Sequence, residues 1–362
     1  MFFQQFKVEG LGCLSYMIGC PLDGRAIVVD PKRDVEDYLN TARLNKMKIT
    51  GIFETHVHAD HISGAAELRH QTGAPIHIGA GSPVDYEHIP LHDGDEVRLG
   101  QTLIQVLATP GHTPNSVSLA VSDLARGAFP QMLLTGDLLF VGSIGRPDLA
   151  GGELLEEQIN NAYHSIYRKL EKFPDYVEVY PAHGAGSLCG AGISAKPSST
   201  LGFERLTNPY LKLEFADFHK LLSQNTPHRP INFGHIINVN LHGASLLNEL
   251  EPITEYQPSG CKKFLQESPD HRLVDLREAT AFGGAHIPGS LNIGLAPNSA
   301  TWIGNVLKPE TRLLLLAGSH QEIDRAATMF RRVGYDHIQG SVIGLNNWIM
   351  AAEGTGFLPQ IT

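Results

Sequence analysis

The sequence predicts an α/β fold in two domains, and three observations carry that reading. At 362 residues the chain exceeds the roughly 100–200 residues that one ordinary domain spans. From Gly10 to about His183, short apolar runs alternate with stretches of helical periodicity. Near Gly260 a second, shorter α/β pattern begins after TEYQPSG, a stretch containing Pro and Gly that reads as a linker and places Cys261 in it.

Each element follows from its own pattern. CLSYMIG and AIVVD read as strands, VEDYLNTARLNK as a helix, ITGIFETH as a strand, SGAAELRHQTG as a helix and PIHIG as a strand. LIQVLATP, SVSLAV and QMLLTGDLLF supply further strands. Between Glu153 and Phe173, Leu154, Ile159, Tyr163, Ile166 and Leu170 recur at helical spacing. From about Ser187 to Pro258 the periodicity weakens, and Pro227 and Pro230 flank the pair HR. That segment reads as an extension of the first domain, which is expected to cover residues 1–250, leaving 251–362 for the second. In the second domain RLVDLRE, SLNIG and TRLLLLAG read as buried strands, and DRAATMFRRVG as an amphipathic helix closed by Gly334.

Composition narrows the function classes. A hydrophobic share of 42% and a charged share of 18% are those of a packed soluble protein. A formal net charge of -10 opposes general binding to nucleic acid or anionic membrane, both of which are negative. Small molecules are the expected partners. The four cysteines, Cys13, Cys20, Cys189 and Cys261, have neither a paired metal spacing nor a disulfide framework, which suits reduced thiols in a cytosol. The N-terminus lacks the pattern of a secretory leader and no run is long enough for a membrane span, so a cytoplasmic protein is expected.

The strongest chemical signal is THVHADH, which puts His56, His58, Asp60 and His61 on one loop directly after a strand. His112 in TPGHT, Asp137 in LLTGDLLF and His183 in VYPAHGAG each follow a strand as well. Strand-to-loop junctions are where α/β enzymes usually hold their chemistry. A single histidine is most often an ordinary hydrogen-bonded residue, but a cluster of imidazoles and carboxylates is a metal-ligand set.

In this order HVHADH, TPGHT, TGD and PAHG resemble the metallo-β-lactamase superfamily over about two-thirds of the chain. The resemblance implies an αββα sandwich. It also implies two branches with one residue set. Thioester hydrolases similar to glyoxalase II hold two Zn2+ ions with all seven residues and generate a hydroxide nucleophile. Persulfide dioxygenases hold one Fe2+ per chain. Carried over to this sequence, their ligands are His56, His112 and Asp137, with His58, Asp60, His61 and His183 around them. Two imidazoles and one carboxylate on one face of iron leave positions for a substrate sulfur and dioxygen side by side.

Three features tilt the resemblance toward sulfur. The GRPDL segment after Asp137 is similar to the dioxygenases, with Arg146 a candidate to orient a substrate carboxylate or neighbouring groups and Asp148 its candidate ion-pair partner. PAHGAGSLCG resembles bacterial multidomain persulfide dioxygenases and makes Cys189 a candidate sulfur-handling thiol. LVDLREATAFGGAHIPGSLNIG resembles a rhodanese, through Asp275, Arg277, His286, Pro288 and Gly289. At the position of the rhodanese cysteine stands Ala317, and Glu322 replaces the usual arginine. Neither Ala317 nor Ser319 can carry a persulfide, so the domain is expected to lack sulfurtransferase activity.

The resemblance therefore implies an iron-dependent persulfide dioxygenase in sulfide and persulfide detoxification. It would use O2 and a low-molecular-weight persulfide of glutathione or coenzyme A and release sulfite. The alternative is the dinuclear zinc hydrolase. A homodimer and a separate sulfurtransferase partner are compatible with the resemblance.

Overall fold

The structure, a computed structural model, describes residues 1–8, 10–224, 229–351 and 353–358. Pro227 of the weakly periodic segment lies outside the described residues. The chain divides into two units, one of residues 1–229 and 237–244, the other of 230–236 and the residues from Ser245 onward.

Two six-stranded sheets build the first unit. In one, β1 (Phe2–Lys7), β2 (Leu14–Cys20), β3 (Arg25–Val29), β4 (Lys48–Glu54), β5 (Ile76–Gly79) and β6 (Ile89–Leu91) lie side by side in sequence order. β1, β2 and β3 pair antiparallel, and pairing from β3 to β6 is parallel. The first two parallel crossovers run through helices α1 (Glu36–Leu44) and α2 (Ala65–Thr72), because parallel neighbours need a long connection. The second sheet contains β7 (Glu96–Leu99), β8 (Thr102–Ala108), β9 (Val117–Asp123) and β10 (Met132–Gly136). A small hairpin of β11 (Leu139–Phe140) and β12 (Ser143–Ile144) follows. Then β13 (Glu178–Pro181) and β14 (Ser199–Thr200) complete the order β14-β13-β10-β9-β8-β7.

Alternation along the strands explains the layering. Leu14, Tyr16, Ile18 and Cys20 point with Ile27, Val29 and Phe53 toward Ile104, Val106, Leu119 and Leu134 of the facing sheet. Met17, Ala26, Val28 and Ile52 point the other way, against Tyr38 and Ala42 of α1 and Leu68 of α2. Leu133 and Val179, on the outer face of the second sheet, pack against Ile159 and Ala162 of α3 (Leu155–His164). The unit is thus the expected helix-sheet-sheet-helix sandwich.

Two readings of the first unit are refined. QMLLTGDLLF is not one strand, since β10 stops at Gly136 and the chain turns before β11, leaving Asp137 at the break. The helix expected over 153–173 is regular only in α3. It continues as a π-helical turn, Ser165–Lys169, whose Ser165 hydroxyl donates to the carbonyl of Pro110 (2.7 Å). The weakly periodic segment contains α4 (Leu201–Thr207), α5 (Phe215–Gln224) and α6 (Phe233–His242), the last contributing its residues from Ile237 to the first unit.

The second unit has a parallel five-stranded sheet in the order β15-β19-β18-β16-β17. Its strands are β15 (Thr254–Glu255), β16 (Arg272–Asp275), β17 (Leu291–Asn292), β18 (Leu313–Ala317) and β19 (Ile338–Ile343). Helices α7 (Pro258–Glu267), α8 (Ala279–Gly284), α9 (Ser299–Val306), α10 (His320–Arg332) and α11 (Asn346–Met350) accompany it. The linker reading of TEYQPSG is corrected here. Thr254 and Glu255 are an edge strand, and Pro258 opens α7, where a missing backbone N–H costs no hydrogen bond. Cys261 is consequently no linker residue but a fully buried one, packed with Phe264, Leu273 and Trp348. Among the described residues no helix is long and apolar enough to cross a membrane.

Candidate metal centre

The strand ends of both sheets in the first unit deliver the seven residues. THVHADH follows β4, TPGHT follows β8, Asp137 follows β10 and His183 follows β13. All seven are buried; His56, His112 and Asp137 form one group of donors, Asp60, His61 and His183 form another, and His58 groups with Asp30 and Glu54.

In the first group, donor atoms of His56, His112 and Asp137 lie within 4.8 Å of one another. Asp137 Oδ2 is 3.3 Å from His112 Nε2 and 3.7 Å from His56 Nε2. The surroundings set both tautomers. His112 Nδ1 donates to the carbonyl of Arg146 (2.8 Å), which leaves a lone pair on Nε2. Thr55 spends its only hydroxyl proton on Asp30 Oδ2 (2.8 Å), so the same oxygen accepts from His56 Nδ1 (2.9 Å). His56 Nε2 therefore also presents a lone pair. Burial, reinforced by the neighbouring His58, pushes the His56 pKa well below its usual value, and burial lowers His112 too, so both imidazoles are neutral.

Close backbone approach makes this geometry. A Cβ on Gly145 would sit 1.7 Å from the Asp137 carbonyl oxygen, so only glycine lets the chain pass there and offer the Arg146 carbonyl to His112. Gly111, at φ +151°, lies where a Cβ would meet Ala162 Cα of α3 at 2.6 Å, which seats the TPGHT loop on that helix.

Hydrogen bonds tie the second group together and link it to Asp137. His183 donates from Nδ1 to Asp137 Oδ1 (2.6 Å) and from Nε2 to Asp60 Oδ2 (2.8 Å). Donating from both nitrogens requires the imidazolium. Although burial opposes the charge, Asp137 and Asp60 raise the His183 pKa well above its usual value. Asp60 also meets His61 Nδ1 at 3.2 Å and the thiol of Cys13 at 3.2 Å. His58 turns Nε2 to Glu54 (3.0 Å) and Asp30 (3.2 Å).

Arg146 is paired within the protein, with the partner expected for it. Its guanidinium grips Asp148 through Nε (3.0 Å) and Nη2 (2.7 Å), and its amide donates to the carbonyl of Cys189 (3.1 Å). The residue thus ties the GSLCG loop to His112. The Cys189 sulfur lies with Asp137 and His183 in a further group of donors. Burial, followed by the charge of Asp60, pushes its pKa well above the usual thiol value, so a neutral thiol faces the site.

Four residues of the site lay outside the sequence reading. Asp30 closes AIVVD, and a carboxylate ending an apolar strand was the available signal. Thr55 opens THVHADH itself, and Cys13 has no ligand spacing to mark it. Asn240 of α6 had no signal. Its side chain donates to the carbonyls of His58 (2.9 Å) and His61 (2.8 Å) and accepts from Ser63 N–H (3.0 Å), bracing the loop from about 180 residues away.

The donor set fits a divalent metal ion. Asp137 Oδ2 is buried and has no hydrogen-bond partner, an arrangement that costs free energy unless a cation takes the oxygen. Two neutral Nε2 lone pairs converge on it.

In the second unit, β18 ends at buried Ala317, and Ser319 caps α10 by accepting from Glu322 N–H. The Glu322 carboxylate accepts from Gly318 N–H (2.8 Å), so a negative charge already occupies that loop. Asp275 and Arg277 form a bidentate pair (2.9 and 2.6 Å), and His286 stacks on Phe282 with centroids 4.1 Å apart.

A two-sheet α/β sandwich with an imidazole–carboxylate donor set at its strand ends defines a protein of the αββα class with a candidate metal centre. Comparison with known proteins agrees. Residues 8–183 match the metallo-beta-lactamase superfamily, and residues 258–351 match the rhodanese-like domain. The mitochondrial persulfide dioxygenase ETHE1 of Mus musculus is 30% identical over 214 residues, 58% of this chain and 75% of that protein. A hydroxyacylglutathione hydrolase of Polaromonas sp. is 34% identical over 172 residues, 47% of this chain and 61% of that one. A crystal structure described as a metallo-beta-lactamase from Staphylococcus aureus superposes with a TM-score of 0.85 at 31% identity, covering 95% of this chain and 99% of its own. The chain belongs to the metallo-β-lactamase superfamily and carries a rhodanese-like domain behind the metallo-β-lactamase domain.

Proposed function

We propose that the protein is an iron-dependent persulfide dioxygenase acting on a low-molecular-weight persulfide. Stoichiometrically, RSSH + O2 + H2O gives RSH, sulfite and two protons, the outer sulfur losing four electrons that dioxygen gains. The observation that carries the reading is the division of labour at Asp137. Oδ2 is free for a metal shared with His56 and His112, while Oδ1 is taken by His183.

A ferrous ion held by these three residues would supply adjacent open positions for sulfur and dioxygen. The chain's own residues do the rest. Thr55 and the Arg146 carbonyl fix the two imidazole planes, as outer partners of metal ligands do. His183 holds a proton between Asp137 and Asp60. Val57, Leu149 and Leu154 line an apolar approach beside His112 along which the persulfide reaches these residues. Similarity to persulfide dioxygenases supports the substrate class.

One observation favours a second reading. His58 Nδ1 is buried without a partner, and Asp60, His61 and His183 gather within 4.8 Å; with His56, His112 and Asp137 these are the seven residues a dinuclear zinc site would use in a thioester hydrolase. Protein purified anaerobically separates the two. One iron per chain, with persulfide-dependent oxygen uptake and sulfite release, is the expected result. Two zincs with thioester hydrolysis and no oxygen uptake would replace this function with the hydrolase.

A further inference from the structure

Beside His112 the first unit has an open-mouthed pocket of about 350 Å³, within the range that holds small organic ligands. Its walls are mainly apolar, from Val57, Pro83, Leu149, Leu154, Ile237 and Leu241. Besides His112, and besides Thr113 and Asn115, which are hydrogen-bonded to Ser116 and the Ala80 carbonyl, two more polar side chains stand on the lining. The Ser82 hydroxyl is buried and has no hydrogen-bond partner, and the exposed Arg229 brings a guanidinium to the lining. No carboxylate side chain is among the lining residues.

We infer that this pocket receives the carrier part of the persulfide, and that Arg229 and Ser82 select carriers whose apolar or amide-bearing arm ends in an anionic group. The assignment rests on the persulfide reading of the neighbouring His56, His112 and Asp137. A guanidinium recognises carboxylate and phosphate alike, through paired N–H donors. A carrier ending in an ammonium would meet that cation with no carboxylate to offset it, so the wall discriminates against positive ends. Ser82 Oγ, otherwise a buried hydroxyl without a partner, gains one from an amide or phosphoryl oxygen along the arm. The apolar walls accept the intervening methylenes and methyls. Coenzyme A and glutathione both meet the anionic requirement, one by phosphate and the other by carboxylate. Cysteamine, a short thiol with an ammonium end, does not.

The test uses the unreacted thiols, so that binding is read without turnover. Coenzyme A, glutathione and cysteamine are titrated anaerobically into the full-length, iron-loaded protein by calorimetry. Wild-type protein should bind at least one anionic thiol about ten-fold or more tightly than cysteamine, and the better of the two identifies phosphate or carboxylate as the favoured end. Arg229→Glu should erase that preference, Arg229→Lys should keep most of it, and Ser82→Ala should weaken the anionic thiol by a smaller factor. Unchanged affinity for both anionic thiols in Arg229→Glu would overturn the assignment. Oxygen uptake on the corresponding persulfides is measured in parallel. Arg229-dependent binding without any uptake would reject the dioxygenase and leave the anion pocket standing, whereas uptake with Arg229-independent binding would reject the pocket alone.

Discussion

His183 lies 2.6 Å from Asp137 through Nδ1, on the carboxylate oxygen opposite the one that faces His56 and His112. One oxygen is thereby anchored and the other left to a metal. His183→Ala removes the anchor while sparing the three proposed ligands. Ferrous affinity should fall by about 10–100-fold, the usual effect of losing an outer partner. Competition with a chromogenic iron chelator measures it, and an unchanged affinity would show that Asp137 is held by other contacts.

Thr55 links Asp30 to His56 through a single hydroxyl, 2.8 Å from the carboxylate and 2.9 Å from Nδ1. Thr55→Val preserves shape and deletes the acceptor, leaving a buried Nδ1–H unsatisfied. The expected loss is about 1–3 kcal/mol of stability or of metal binding. Thr55→Ser keeps the hydroxyl and should behave as wild type. Equal behaviour of the two variants in thermal unfolding and metal titration would refute the linkage.

At Gly145 a methyl group would sit 1.7 Å from the Asp137 carbonyl oxygen. Neither backbone can yield without moving Asp137 or the Arg146 carbonyl that orients His112. Gly145→Ala should therefore cost about 3 kcal/mol or more and lose metal at the same time. Chemical denaturation and metal analysis of the same sample would check both effects, and a stable, metal-replete variant would contradict the packing described.

Much of this fold was legible because period-two strands and helical runs announce their buried faces directly. The α1 stretch and the doubly buried β2 both emerged that way. The candidate site was legible because four of its seven residues share the local motif THVHADH. What escaped was contact made at long range. Asn240 braces that motif across about 180 residues, and no local pattern encodes such a bond. TEYQPSG escaped for another reason. Proline reads as a breaker, yet at the first helical position it starts α7, which hides Cys261 in a core instead of exposing it in a linker.

The loop after β18 offers a gain-of-function test. Wild-type protein should show no thiosulfate:cyanide transfer, because Ala317 supplies no sulfur. Ala317→Cys alone should stay inactive, since Glu322 occupies the Gly318 N–H (2.8 Å) and its charge opposes a thiolate beside it. Ala317→Cys combined with Glu322→Arg frees that donor and reverses the charge, and should give measurable transfer. Activity in the single variant equal to the double would show that Glu322 does not block the loop.

Cys261 predicts a specific alkaline weakness. Burial pushes its thiol from 9.0 up to about 11. The unfolded chain releases this proton near pH 9, while the folded chain keeps it until about pH 11. Between those values the folded state binds more protons, so raising the pH favours unfolding. The contribution is whole below pH 9 and is lost as pH climbs through 11. Cys261→Ala lacks the group. It should be less stable than wild type at pH 7, because it leaves a small cavity beside Phe264 and Trp348. The gap between the two proteins should then narrow from pH 9 to pH 11. Tyrosines that titrate in the same range are common to both proteins and cancel in the difference. Urea unfolding at pH 7, 9, 10 and 11 measures the gap, and one that stays constant would mean that the Cys261 thiol ionises alike in the folded and unfolded chains.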